Sequence, residues 1–274
     1  MFFKRLIKNK LTVVGAVLIT IMALMSILSP WLTTHDPYKM DFKQRLKPPS
    51  LEHFLGTDEY GRDVYSRIVL GSTVAMKVGF FSVSLSLVLG ILMGLFSGYY
   101  GGWTDSIIMR IMDAIVTFPT LLLAIGIMAV LGPGLVNLMI AIGVVYTPRF
   151  ARVVRSSVLS IREKEYIEAA RVTGCNNFSI IFEHILPNCW PPVIILSTIN
   201  FGYAILWEAA LSYLGLGAPP PTPSWGSVLS EGKDFMIIAP WLTTFPGIAI
   251  AFVVLGLNLF GDGLRDVLDP RLKE

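Results

Sequence analysis

The sequence predicts an all-α integral membrane protein of six transmembrane helices, and three observations carry that prediction. First, 54% of the 274 residues are hydrophobic and only 15% are charged, against roughly a quarter charged in a soluble domain. Second, the charges gather into a few stretches, and the uncharged runs between them reach the roughly 20 residues that a helix needs to cross a bilayer. Third, Lys and Arg fall unevenly among the connections, as they do in proteins oriented by the positive-inside rule. The net charge of +3 is therefore no sign of nucleic-acid binding.

In chain order, Lys4, Arg5, Lys8 and Lys10 alternate with Phe2, Phe3, Leu6 and Ile7, the pattern of a short basic amphipathic segment at a membrane surface. Leu11 to Thr34 carries no charge. Its apolar core exceeds that of a signal peptide and lacks a small-residue cleavage site, so residues 1–34 read as that segment plus a retained first span at about 11–32. Residues 35–77 are polar, contain Pro37, Pro48 and Pro49, and read as an extracytoplasmic connection. Within it Thr57 and Asp58 are expected to cap a short helix from Glu59 to about Leu70. Asp58, Glu59 and Asp63 are read as solvated charges paired with Arg62 and Arg67 rather than as a carboxylate site.

Val78 to Thr104 is the second span. Gly90, Gly94 and Gly98 recur in it every four residues, a small-residue ridge that lets another helix approach closely; a flexible kink is the alternative. After Asp105, Arg110 and Asp113, the uncharged stretch from Ala114 to Pro148 is too long for one helix and is broken by Gly132, Pro133 and Gly134. It reads as two spans joined by a tight turn, with Pro119 near the start of the first, where neighbours or water must satisfy the carbonyl it frees. Arg149, Arg152 and Arg155 form a basic stripe placed close to the headgroups.

A charged helical pair follows, Glu163 to Pro187. Its first half has helix formers up to Thr173 and a stop at Gly174, Asn176 and Asn177. In its second half Phe178, Ile181, Phe182 and Ile185 share one face until Pro187 ends the pattern. The fifth span runs from Ile185 to Trp207, with Glu208 at its far end. Residues 209–234 contain GLGAPPPTPSWG and are read as too broken for a helix, and the sixth span covers 235–261. The five-helix core is thus 78–261, and 262–274 is a polar tail. With both termini in the cytoplasm, fourteen of the 22 Lys and Arg lie inside, and seven of the other eight sit in the one long connection, where charge counts for less.

Several chemistries are excluded. There is no GxxxxGK[ST] phosphate loop, since Gly232-Lys233 is followed by Asp234. No HExxH or Cys/His cluster is present, His35, His53 and His184 are scattered, and Cys175 and Cys189 read as free thiols. No acid or base falls at the middle of a span as delimited, which argues against an intramembrane enzyme and against an ion-coupled transporter. No catalytic residue and no metal site are expected. A six-span chain with no energy-converting group but a conspicuous cytoplasmic helix pair needs a partner docked there.

At that pair the residues match something specific. Glu168-Ala169-Ala170, three residues, Gly174, nine more residues, His184, Ile185 and Leu186-Pro187 resemble the EAA loop of permease subunits of ATP-binding cassette (ABC) importers. The departure is at His184, where the broad family pattern has isoleucine. FLGTDEYGRDVYSR at 54–67, LSYLGLGAPPPTPSWG at 211–226 and FGDGLRDVLDPRL at 260–272 are similar to the C-type permease of dipeptide, oligopeptide and nickel importers.

The resemblance implies a type I ABC importer permease fold in a bacterial or archaeal cytoplasmic (inner) membrane. It also implies a heterodimer with a homologous B-type permease, two ATPase subunits that hold ATP and Mg, and an extracytoplasmic binding protein, with lipid around the whole. The coupling loop is 152–187, and its contacts are Glu168, Ala169, Ala170, Arg171, Gly174, Leu186 and Pro187. Ala169 and Ala170 are small enough for close approach, Gly174 allows the turn, and Glu168 and Arg171 offer charge. Peptides are the expected cargo, with nickel or a metallophore as the alternative. A stand-alone channel, a secondary transporter or a membrane scaffold are the rivals from other classes. Ser197, Thr198, Asn200 and Tyr203, with Ser82, Ser84 and Ser86, are candidates for the substrate path, helix-packing hydrogen bonds being the alternative. Glu208, near the outer mouth, would meet a peptide amino group or else snorkel at the interface.

Overall fold

A computed structural model describes residues 9–268. The cations Lys4, Arg5 and Lys8 and the tail residues Asp269, Arg271 and Lys273 lie outside the described residues. The long elements are all helices, and the described residues contain no strand beyond one isolated bridge, Thr57 to Asp63.

Helix α1, Lys10–Ile27, opens on Asn9, whose side chain accepts from Leu11 N and Thr12 N. It ends earlier than the expected span because Pro30 lacks the N–H that would bond to Ser26 O. Thr73, on the next long helix, donates to that carbonyl instead, at 3.1 Å. A single turn, Ser29–Leu32, completes the segment.

Helix α2, Val64–Tyr100, has 37 residues, ~55 Å of helix. It corrects the expected boundary. Its cap is Asp63, accepting from Ser66 N at 2.8 Å, and no helix starts at Glu59. Gly61 has φ +76, a backbone state that breaks a helix, and Asp58 spends its carboxylate on the turn, accepting from Tyr60 N and Arg62 N at 2.9 Å each.

The charges around that turn are buried rather than solvated. Asp58, Asp63, Arg62 and Arg67 are all 6% exposed or less. Arg62 Nε meets Asp58 at 2.6 Å, and both arginines converge on Glu231 at 2.6 and 2.8 Å. Glu231 belongs to α8, Trp225–Gly232, inside the stretch expected to hold no helix. The prolines stop at Pro223, and Ser224 and Ser227 then form a capping box. Trp225 is fully buried and donates to Ile68 O at 2.9 Å.

Helix α3, Gly102–Thr117, meets α4, Thr120–Leu131, at a 97° bend. Pro119 sits at that break, so it frees no carbonyl inside a helix. The expected Gly-Pro-Gly turn joins α4 to α5, Leu135–Ile161, and Asn137 Nδ2 closes it onto Leu131 O and Gly132 O at 2.8 and 3.1 Å. Helix α6 is Glu165–Val172, α7 is Leu186–Tyr213 and α9 is Trp241–Leu268. Among the described residues, four helical stretches are long and apolar enough to cross a membrane, and the bent pair α3–α4 makes a fifth if it counts as one. Helix α5 is long enough but carries Arg149, Arg152 and Arg155.

Gly90, Gly94 and Gly98 lie where α2 meets α5. A Cβ on Gly90 would overlap Phe150, one on Gly94 would stand 2.6 Å from Ala151 O, and one on Gly98 2.7 Å from Val158 Cβ. Two apolar clusters result, one joining α2, α4, α5 and α7, the other joining α1, α2, α7, α8 and α9.

Candidate functional site

The loop between α5 and α7 is framed by hydrogen bonds to the end of α2. Arg162, which closes α5, donates to Gly98 O at 2.9 Å. Arg155 holds Asp105 of α3 through two bonds of 2.5 and 2.6 Å, and Ser97 donates to the same carboxylate. Tyr99 donates to Asn177 at 2.7 Å, and the Arg171 guanidinium lies 5.8 Å from the Tyr99 ring centre. Side-chain hydrogen bonds thus tie the loop and the end of α5 to α2 and α3.

Within the loop, α6 ends in a Schellman turn. Gly174 N donates to Arg171 O and Cys175 N to Ala170 O, and Gly174 has φ +83, the left-handed state that this motif places at the residue after the cap. Asn176 caps the next turn by accepting from Ser179 N at 2.7 Å. Ile167, Ile180, Ile181 and Ile185 are buried and anchor the loop to the core.

The expected apolar face is corrected here. Phe178 is 69% exposed, and its ring packs on Phe182 at 4.5 Å. Residues Ile180–Ile185 form a π-helical turn. Ile181 and Ile185 are buried as expected and Phe182 packs half-buried against the core, while the wider winding brings in Ile180 in place of Phe178. Pro187 does not end the helix, which continues to Tyr213. The wide turn before it leaves space for a ring that would otherwise strike the carbonyl four residues back.

What the loop presents outward is specific. Glu168, Ala169, Arg171, Gly174 and Pro187 are exposed, Ala170 and Leu186 are half-buried, and Val172 is 83% exposed beside them. Glu168 has no ion-pair partner among the described residues. A Cβ on Gly174 would meet nothing within 4 Å. Small and apolar groups flanked by free charges are the makings of a docking face rather than of a reactive centre. Cys175 and Cys189 are free thiols.

The candidate path residues do not come together. Ser197 and Thr198 donate to carbonyls of their own helix at 2.8 Å and line an apolar cavity against α1 and α9. Ser82 and Asn200 are buried without a hydrogen-bond partner, and Ser86 bonds to Val83 O. Glu208 is 0% exposed and accepts from Ser212 at 2.7 Å, so it neither snorkels nor faces an open mouth. It lies beneath α8, whose Gly226 stands against Ala209. Tyr203 alone is open, at 44% exposure.

Two placements escaped sequence reasoning. His35 and His53 are neighbours, with ring centres 4.6 Å apart, and both approach Asp63, at 3.8 and 2.8 Å. The 2.8 Å contact is a hydrogen bond, closer than the ~3.3 Å that separates two ligands of one zinc ion, and it steadies the α2 cap. Arg149 is level with Gly90, whose Cβ would meet Phe150 and Thr147 O, beside the middle of the uncharged run of α2 rather than its end. The uncharged run ends at Pro148, and its pattern gives no sign that α5 continues for twelve residues beyond Arg149.

Residues 87–274 match the family model of the binding-protein-dependent transport system inner membrane component, and residues 1–49 match that of the N-terminal TM domain of oligopeptide transport permease C. The dipeptide transport system permease protein DppC of Alkalihalophilus pseudofirmus is 51% identical, over 99% of this chain and 89% of that protein. The probable D,D-dipeptide transport system permease protein DdpC of Escherichia coli is 44% identical, over 96% and 88%. The glutathione transport system permease protein GsiD of Pectobacterium atrosepticum is 40% identical, over 99% and 91%. Among solved structures, an inward-facing conformation of the MetNI methionine ABC transporter superposes with a TM-score of 0.60 at 20% identity, over 73% of this chain and 96% of that one; this likeness concerns the fold alone.

Proposed function

The chain belongs to the family of binding-protein-dependent transport system inner membrane components, and on that premise we propose that it forms half of the translocation path of an importer of di- or oligopeptides, driven by separate ATPase subunits. It is a multi-pass inner-membrane permease. The cargo reading is supported by relatives named for dipeptides, D,D-dipeptides and glutathione. In this reading α1, α2, α3–α4, α5, α7 and α9 are the six spans and both termini are cytoplasmic. A homologous permease completes the path, and an extracytoplasmic protein delivers the peptide.

The observation that carries the mechanism is the outward face of the loop, where Glu168, Ala169, Arg171 and Gly174 are exposed on a frame bonded to α2 and α3. ATP and Mg bind the partner ATPases, whose closure pushes this face. The hydrogen bonds of Tyr99, Arg162 and Arg155, with the glycine contact of α2 on α5, make the loop and these helices one lever. The push therefore tilts the bundle from an inward- to an outward-facing arrangement, and the chain itself performs no chemistry. Co-purification of the chain with two ATPases, and of the cognate binding protein with a peptide, tests the reading. Recovery of a metal chelate in the binding protein would contradict the cargo, and absence of ATPases the mechanism.

A further inference from the structure

We propose that Arg149, framed by Tyr146 and Tyr203, is the station that holds the C-terminal carboxylate of the peptide in transit; the assignment rests on the peptide reading above. Three observations converge on it. The first is depth. Arg149 is level with Gly90 of α2, ten residues before that helix ends at Tyr100. Gly90 also stands near the middle of the uncharged run Val78 to Thr104, well inside the roughly 20 residues with which a helix crosses a hydrocarbon layer about 30 Å thick. A cation at mid-depth is costly unless it faces an aqueous path or an anion.

The second observation is charge. Arg152 is compensated by Asp113 at 2.8 Å and Arg155 by Asp105 at 2.5 Å, but Arg149 has no carboxylate partner among the described residues. What it has is aromatic support, with its guanidinium 4.9 Å from the Tyr146 ring centre and 5.6 Å from that of Tyr203. Rings at that distance steady a guanidinium without neutralising it. Its forked donors stay available to a carboxylate, which they match with two parallel hydrogen bonds.

The third is space. Arg149 and Arg152 line an open cavity of about 360 Å³ whose other walls include Phe118 at the α3–α4 elbow, Val145 of α5 and Leu196 of α7. This lies within the range of small-molecule sites, roughly 300–1,000 Å³. One uncompensated cation among apolar walls suits a short peptide with a free carboxylate and varied side chains. The walls belong to the elbow and to the two helices that flank the loop, the parts that the lever moves.

The test uses the complete transporter in proteoliposomes with its loaded binding protein. It compares a free-acid peptide with its C-terminal amide, each supplied so that the binding protein is equally loaded. Arg149→Gln is expected to lower uptake of the free acid about tenfold or more, the worth of a charged hydrogen-bond pair. Peptide-stimulated ATP hydrolysis should persist, so that fewer peptides move per ATP. Uptake of the amide, relative to wild type, should fall far less, and Arg149→Lys should recover part of the free-acid uptake. Arg110→Gln, on an exposed face of α3, should leave both unchanged. Equal loss for acid and amide, loss of ATP hydrolysis in step with uptake, or no loss at all would overturn the assignment of Arg149. Failure of the wild type to take up either peptide would overturn the peptide reading itself.

Discussion

Gly174 offers the sharpest perturbation of the coupling loop. It sits at φ +83 with open space where a Cβ would go. Alanine there is opposed by the backbone alone, at a cost of ~1–2 kcal/mol for a left-handed L-residue. If the substituted loop relaxes when free and the ATPase requires this conformation, docking must restore that strain and is weakened by up to about 5- to 30-fold. Asparagine tolerates the left-handed state better than other L-residues but projects a larger side chain into the space that a partner must fill. Gly174→Ala should therefore give a transporter whose ATPases dissociate more readily. Gly174→Asn should keep the loop conformation yet hinder docking sterically, and Gly174→Trp should abolish transport-linked ATP hydrolysis while membrane insertion proceeds. The assay is ATPase titration onto the purified permease pair, followed by peptide-stimulated hydrolysis in proteoliposomes. Wild-type ATPase affinity in Gly174→Ala, or normal transport in Gly174→Trp, would refute the reasoning.

Three further outcomes are expected. Glu231→Ala takes from Arg62 and Arg67 one of the two carboxylates they share, with Asp58 remaining at 2.6 and 3.7 Å, and should destabilise the protein by about 1–3 kcal/mol, read as a lowered thermal midpoint in detergent. Gly94→Val forces a side chain against Ala151 O at 2.6 Å, and prising α2 from α5 should cost about 1–3 kcal/mol or more; thermal unfolding would show it, and an unchanged midpoint would contradict the close packing. Tyr99→Phe removes only the hydrogen bond to Asn177, worth about 0.5–1.5 kcal/mol. It should loosen the lever, so peptide uptake per ATP falls while fold and assembly persist.

What was legible in the sequence was local. The stop at Gly174 and the Gly-Pro-Gly turn each depend on a few adjacent residues, and the glycine spacing of α2 reports one helix face, so one-dimensional pattern sufficed. Where interaction was distant, pattern failed. Arg62 and Arg67 looked solvated because their partner Glu231 lies 169 and 164 residues away. His35 and His53 looked scattered for the same reason. Helix α8 was hidden by the prolines before Ser224, although the Ser224–Ser227 pair was a readable start signal. Within the loop only Phe178 departs from the expected face, giving way to Ile180, because a π-helical turn leaves no mark in 3.6-residue periodicity. At Arg149 a charge ends the apolar run, yet α5 continues past it to Ile161, with Tyr146 and Tyr203 beside the guanidinium.

The central claim is that the face bearing Glu168, Ala169 and Gly174 is where the ATPases press. Ala169 is exposed, so Ala169→Cys, in a chain with Cys175→Ser and Cys189→Ala, should react readily with a membrane-impermeant maleimide in inside-out vesicles lacking the ATPases. Reaction strongly slowed when the ATPases are restored is the predicted result. Labelling at the same rate with and without them would contradict the account.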